Sequence, residues 1–368
     1  METSTEYIIV GCDMHEENLL LKIAAGREEP ATRSFRNRRK SRKRMIDWLK
    51  GQAAAKGGAA VVFAYEASSL GYVLHDELQA AGMTCHVLAP SKIERSPKGR
   101  ATKTDENDAQ MIFELVRAHL LAGNRLPSIW VPDDRTRDAR EITRARQDTQ
   151  ARLTQTKTQV TMLLKRHGCE KPGDVEKNWT QAFRRWLVET VMSELAPGAV
   201  WHLVSLMRQV EFYEKEVADL TEKVEELAQE PHYQPMADAM DAEPGVGKLT
   251  AMTVLAELGD LRRFSNGKQV KSYLGLAPSC HESGEASDRK GHITRQGPAR
   301  ARAALNQAAW SFVRCCPEAH AKYERIVARN PNKKKKALVA AMADLAMRLW
   351  HRGLDAASAT ASPACASP

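Results

Sequence analysis

Short apolar runs separated by polar turns fill the first third of the chain. Residues 6–14 read as a buried strand, Asn18 to Ala25 (NLLLKIAA) as a second, and residues 31–36 as a third. From Arg42 to Lys56 the apolar positions Met45, Ile46 and Leu49 recur at helical spacing. Ala59 to Tyr65 is apolar throughout, as a strand covered on both faces should be. Ser68 to Ala81 predicts a helix stopped by Gly82, and Met83 to Leu88 a further strand. Thr104 caps a helix running to about Leu121.

The order is three strands, then helix and strand in alternation, ending on a helix. It matches a ribonuclease-H-like α/β arrangement, a three-strand meander followed by parallel strands with crossover helices. There the first strand is central and the fourth lies beside it.

Beyond Pro127 and Pro132 the pattern changes to long helices. A charged helix carries loosely spaced Ile142, Leu153, Val160, Leu163 and Leu164. From Arg208 to Gln229, Val210, Tyr213, Val217, Leu220, Val224 and Leu227 step by threes and fours, a coiled-coil seam. Antiparallel pairing with the 140–166 helix and pairing between chains both satisfy it; the narrow seam leans towards self-association. Pro231 and Pro235 mark a boundary before EPGVGKLT (Glu243 to Thr250) and the apolar helix 249–258. GVGK lacks the first glycine of a phosphate loop, and no strand precedes it, which excludes an ATPase. PGVG between helices suits a helix-hairpin-helix turn that meets a phosphate, or equally a tight turn that contacts nothing. The expected organisation is an α/β domain at 1–128, a helical coiled-coil linker at 129–235, a mainly α-helical domain at 236–353 and a disordered tail at 354–368.

Acidic residues end or open three of these segments. Asp13 ends the first strand, Glu66 ends the fourth, and Asp105 and Asp108 lie in the first turn of the capped helix. A carboxylate at the tip of a buried strand is costly unless something binds it. Converging tips make an oxygen site for a hard cation such as Mg²⁺. Such ions align a nucleophile with the leaving oxygen of a phosphodiester and offset the developing charge. Lys103 is close enough in sequence to reach a phosphate. Individually, the same acids could complement a helix dipole, cap a turn or pair with a cation.

Composition and charge narrow the partners. The chain has 368 residues, 43% hydrophobic and 27% charged, an ordinary soluble globular balance. No apolar run reaches the roughly 18–20 residues of a membrane span, and the N-terminus lacks the features of a signal peptide, so a cytoplasmic protein is expected. The seven cysteines are scattered without a CxxC pair, which supports neither a zinc knuckle nor a disulfide framework. The net charge of +9 is concentrated in stripes: TRSFRNRRKSRKR (Thr32 to Arg44) without an acid, Arg135 to Arg166, and Lys333 to Lys336. Stripes beside an acidic cluster favour a nucleic-acid partner over solvated faces. A glycine-rich loop, Glu285 to Gly297, adds Arg289, Lys290, His292 and Arg295, and Arg300 and Arg302 open the next helix. Ser283, before Gly284 and near these cations, is locally just a turn residue.

As an ordered set, these motifs resemble the insertion-sequence 110 family of transposases. GCDMH, YEAS and KTDENDA are similar to its DEDD domain. PGVGKLTAMTVLAELGDLRRFSNGKQVKSYLGLAPS, then ESG and KGHITRQG, are similar to its C-terminal transposase domain. The resemblance implies a RuvC-like nuclease with Mg²⁺ on Asp13, Glu66, Asp105 and Asp108. It implies a serine, Ser283 by position, that attacks DNA and forms a covalent 5′-phosphoserine link. It further implies a homo-oligomer (dimer or tetramer), associated with the nucleoid. A structured non-coding guide RNA would pair with double-stranded DNA at the element ends and the target. Lys103, Arg289, Lys290, Arg295 and Arg300 are the expected nucleic-acid contacts. Glu282 stands where the family often has a second serine, so Ser279 is a rival nucleophile, and Pro298 departs from the family's usual Gly-Asn-Arg continuation. Two other classes stay open: a RuvC-type endonuclease that uses water, and a non-catalytic nucleic-acid-binding protein.

Overall fold

A computed structural model describes residues 7–93, 104–280, 290–329 and 331–360, which form two compact units that meet in sequence between Val131 and Pro132. The first unit is mixed α/β. Strands β1 (Tyr7–Met14), β2 (Asn18–Ala25) and β3 (Ala31–Arg36) form the expected meander, and β4 (Ala60–Glu66) and β5 (Thr84–Leu88) add in parallel. The sheet order is β3-β2-β1-β4-β5, with β1 central and β4 beside it. Helices α1 (Arg39–Ala55) and α2 (Val73–Ala80) share a core with one face of the sheet, and α3 (Asp105–Ala122) with the other.

Two boundaries moved. α1 begins at Arg39, ahead of the expected Arg42. α2 begins at Val73 rather than Ser68, because Gly71 takes a left-handed φ of 70° and the Ser68 hydroxyl accepts from the Leu70 N–H in a local turn.

The second unit is mostly helical. Its long helices α4 (Asp134–Arg166) and α6 (Pro197–Ala228) run antiparallel: Arg146 bonds Thr221, Lys157 pairs with Glu214, and Val160 and Leu163 share a core with Leu203 and Leu206. The short α5 (Gln181–Trp186) closes that core with Phe183 and Trp186. Antiparallel pairing with the 140–166 helix, one of the two pairings the seam allows, is therefore present; it buries Val210, Val224 and Leu227 and leaves Tyr213, Val217 and Leu220 half-buried. Leucines and valines at such spacing bury themselves against whichever apolar stripe is tethered nearby.

The other end of this pair, at Ala139, Val224 and Leu227, packs into a core shared with α7 (Gln234–Asp241), α8 (Lys248–Leu258), α9 (Gly267–Tyr273), α10 (Ala299–Cys315), α11 (Pro317–Arg329) and α12 (Lys334–Thr360). A ribbon of β6 (Pro278–Cys280) and β7 (Lys290–Ile293) lies between α9 and α10 in sequence.

The tail expected to be disordered from residue 354 is helical to Thr360. Gly353 does not stop α12: a Cβ there would lie 2.5 Å from Leu261 and 2.7 Å from Met240, so the glycine permits close packing. The alanine-rich sequence beyond it favours helix, and Arg262 donates to the Ala357 carbonyl at 2.9 Å. Among the described residues, no helix is long and apolar enough to cross a membrane.

Candidate metal centre

Strand alternation decides where the acids point. In β1, Ile9 packs with α3, whereas Ile8, Val10 and Cys12 pack with α1 and α2. Asp13 therefore ends the row that faces α3. In β4, Val62 and Ala64 belong to the α3 side and Val61, Phe63 and Tyr65 to the other. Glu66 thus shares a face with Asp13, and because Cys12 pairs with Tyr65, the two acids come next on adjacent strands.

Gly11 sets the approach of α3. A Cβ at Gly11 would fall 2.2 Å from the Phe113 nitrogen and 2.6 Å from the Ala109 carbonyl oxygen. Only a glycine lets the helix backbone rest on the strand, and that contact carries the first turn of α3 to the strand end. The Thr104 hydroxyl caps this turn, accepting from the Asn107 N–H at 3.2 Å. A second tie comes from Lys22, 9% exposed, whose ammonium reaches Glu106 at 2.6 Å and Thr32 at 2.7 Å.

The outcome is a compact, polar cluster. His15 Nε2 lies 2.8 Å from Asp13 Oδ2 and 3.4 Å from Asp105 Oδ1. One potential ligand atom from each of Asp13, His15 and Asp105 lies within 4.8 Å of the others. Side-chain exposure rises from 17% at Asp13 to 53% at His15 and 68% at Asp105, so an ion from solvent can reach the cluster. Burial holds the Asp13 carboxyl above its ordinary range, and the charges of Asp105 and Asp108 push the same way against the His15 hydrogen bond. His15 is raised in turn, chiefly by its bond to Asp13. Carboxylates that repel one another need a cation, and this oxygen-rich set fits a hard divalent ion.

Asp13 and Asp105 are thus brought within reach of one ion, Asp108 is close enough to act on Asp13, and Glu66 ends the neighbouring strand on the same face. His15 is a member that the sequence reading missed. Its signal was a spacing of two from Asp13, which in an extended chain returns to the same face.

The C-terminal candidates are placed differently. Lys103, Ser283 and Arg289 lie outside the described residues, and Lys290 begins β7. The Ser279 hydroxyl donates to the His292 carbonyl across the ribbon at 3.0 Å. Arg295 has a left-handed φ of 56°, and its N–H donates to the Gly275 carbonyl at 3.2 Å. Arg300 pairs with Asp148 at 2.8 Å. Arg302 donates to the carbonyls of Leu274, Gln296 and Gly297 at 3.0, 3.4 and 3.1 Å, binding together the two ends of the segment that carries the ribbon. The PGVG turn does join two helices, but Gly245 packs against Ser311 and Phe312 of α10, and Lys248 pairs with Asp238 and Asp241. A cavity of about 390 Å³ lined by Asp133, His232, Tyr233 and Arg262 contains none of the expected site residues.

Comparison with known proteins gives two family matches. The family described as "Transposase IS116/IS110/IS902 family" matches residues 238–324, and a DEDD transposase family of IS110 elements matches residues 10–168. The chain is 34% identical to the putative transposase y4qE of Sinorhizobium fredii over 68% of its own length and 58% of that relative's. It is 27% identical to the putative transposase y4rJ of the same organism, over 82% of its own length and 80% of the relative's. A pilin gene-inverting protein of Moraxella bovis is 35% identical over 20% of this chain and 23% of its own. Both matched regions include the residues discussed above: 10–168 holds the Asp13 cluster, and 238–324 the PGVG turn and the ribbon.

Proposed function

The chain belongs to the IS110 family of transposases, and from that premise we propose that it cuts and rejoins DNA at the ends of an insertion sequence with Mg²⁺ and a serine nucleophile. The observation that carries this reading is the convergence of Asp13 and Asp105, from segments far apart in sequence, on a space that one ion can fill. The sheet order supports a ribonuclease-H/RuvC-like first unit.

Asp13, Glu66, Asp105 and Asp108 would hold the ions. Bound Mg²⁺ supplies a Lewis acid at the scissile phosphate and offsets the charge that develops there. The protein's own part is to hold the acids in register through Gly11 and Lys22, and to present Ser283. The Ser283 hydroxyl attacks phosphorus and loses its proton to solvent. The P–O3′ bond breaks, and the 3′ oxygen leaves protonated as a hydroxyl. The 5′-phosphoserine retains one phosphodiester's worth of bond energy, so a second 3′ hydroxyl can displace the serine without ATP. That matches the absence of a phosphate loop. A gene-inverting relative must also rejoin what it cuts, which favours exchange over simple cleavage. A structured guide RNA and a dimer or tetramer belong to the same reading.

The test is incubation with Mg²⁺ and DNA carrying the element's ends, followed by denaturing electrophoresis. Wild type should leave a protein–DNA adduct, and Asp13→Ala and Ser283→Ala should leave none. An adduct retained in Ser283→Ala removes that serine and points to Ser279. Cleavage by wild type without any adduct means that water is the nucleophile.

A further inference from the structure

At the end of the sheet that holds the acidic cluster, the first unit carries an exposed cationic segment whose own energetics are unfavourable. Arg36 ends β3, and Arg39, Lys40, Lys43 and Arg44 occupy the start of α1. All five are exposed, and none makes an ion pair among the described residues. The unit does pair cations where structure needs them: Arg42 bonds Glu77 at 2.7 Å, and Arg38 lies 3.7 Å from Glu17. The five unpaired ones break two local rules. They crowd the positive end of a helix dipole, in a first turn without an acid and without a side-chain cap. They also place like charges four apart, Arg39 with Lys43 and Lys40 with Arg44. Departures from local rules that nothing within the fold offsets are expected where a ligand offsets them.

Position says which ligand. Across the sheet, Asp13 pairs with Leu20 and Leu20 with Ser34; one step on, the His15 N–H donates to the Asn18 carbonyl, and Asn18 pairs with Arg36. Arg36 therefore stands on the same face and at the same end as the metal centre, two strands away. Asn37, between Arg36 and α1, donates to the His15 carbonyl at 2.8 Å, which ties the cationic segment to the loop after Asp13. Two strand spacings are about 10 Å, or about three base-pair steps of a duplex.

We propose that Arg36, Arg39, Lys40, Lys43 and Arg44 grip the backbone of the DNA strand whose scissile phosphate enters the Asp13 centre: Arg36 about three nucleotides from the cut, on the centre's own face of the sheet, and the four α1 cations farther along, where the track passes round the same end of the sheet towards the face that α1 covers. This rests on the cleavage reading above and adds the track of the substrate strand, which the acids alone do not define. Phosphate contacts of this kind position a strand without reading its sequence.

The test replaces Lys40 and Lys43, singly and together, with alanine in the full chain. Affinity for duplex DNA is measured in Ca²⁺ across a salt series, and affinity for a structured RNA in parallel. For the double variant the slope of log affinity against log salt should fall by about 1.8, at about 0.9 per lost phosphate contact. DNA affinity at low salt should fall at least tenfold, RNA affinity should hold, and the thermal midpoint should hold or rise, because repulsion is relieved. A methylphosphonate about three nucleotides from the cut should weaken wild type and the double variant alike, and should leave Arg36→Ala unaffected, because Arg36 is the contact at that distance. Wild-type DNA affinity and slope retained in the double variant overturn this proposal and leave the cleavage reading standing. Loss of RNA binding with DNA binding intact also overturns it. A wild type that neither binds nor cuts DNA defeats the cleavage reading itself.

Discussion

Glu257 in the second unit and Asp13 in the first are both carboxylates drawn away from water, and their surroundings treat them oppositely. The Glu257 side chain is 3% exposed, and Arg144 grips both its oxygens at 2.8 and 3.0 Å. Arg140 and Tyr273 donate to its backbone carbonyl. Glu214 is likewise held by Lys157 and Arg184. Asp13 has one histidine for a partner and two further acids close enough to raise its pKa. A buried acid with both oxygens held by one arginine is a strut. A cluster of acids that share one imidazole is a socket for a cation that the chain does not supply. The same contrast separates the cations: Arg144, Arg300 and Arg42 are bound to acids, while Arg39, Lys40, Lys43 and Arg44 have no ion pair among the described residues.

Removing a strut should have the largest effect. Arg144→Ala leaves Glu257 charged and enclosed, and should lower unfolding free energy by about 3 kcal/mol, read by chemical denaturation. A loss below about 1 kcal/mol would end the distinction between the two acids. Gly11→Ala should come next, at about 1–3 kcal/mol, since its methyl meets the α3 backbone; it should also abolish divalent-metal binding by displacing Asp105. Gly51→Ala, in α1 with open space at its Cβ, is the control and should stabilise by about 0.5–1 kcal/mol. Asp13→Asn should leave the unfolding midpoint in place or raise it, the reverse of Arg144→Ala, because it relieves repulsion.

The smallest effect concerns pH in metal-free protein. His15 is raised above 6.5 by its bond to Asp13. Its contribution to stability is therefore complete below 6.5 and declines as pH climbs through the raised folded value. Asp13, also raised, contributes most when protonated and loses that contribution as pH rises past its folded value in the acid range. Thermal midpoints should therefore fall as pH rises through the range just above 6.5. His15→Ala should flatten that slope, and so should saturating Mg²⁺, which takes over the imidazolium's place.

The contrast also explains what the chain's pattern could foretell. The meander and the capped start of α3 were legible because alternation, unbroken apolar runs and a threonine cap are local signals. The placing of Asp13 beside Glu66 followed from strand order, and the expected approach of Asp105 and Asp108 from their place in the first turn of the capped helix. His15 was not legible, because a histidine beside an acid becomes a partner only when the first turn of α3 arrives from 90 residues away, as its 3.4 Å approach to Asp105 shows. Lys22 and Glu106 are separated just as widely. The apolar seam of α6 was visible and so was α4 as one candidate to cover it, but the choice was not: spacing records that a stripe is buried and not which chain buries it. The tail from 354 read as disordered because its Ala/Ser/Pro-rich composition does not show that α12 continues to Thr360.

Asp13 and its neighbouring acids should bind a divalent ion at one place. Anomalous diffraction from crystals grown with Mn²⁺ addresses it directly. A manganese peak should stand in contact with the Asp13 and Asp105 carboxylates and vanish in Asp13→Asn. Saturating Mn²⁺ with no peak at that cluster, or a peak that survives Asp13→Asn undiminished, would contradict it.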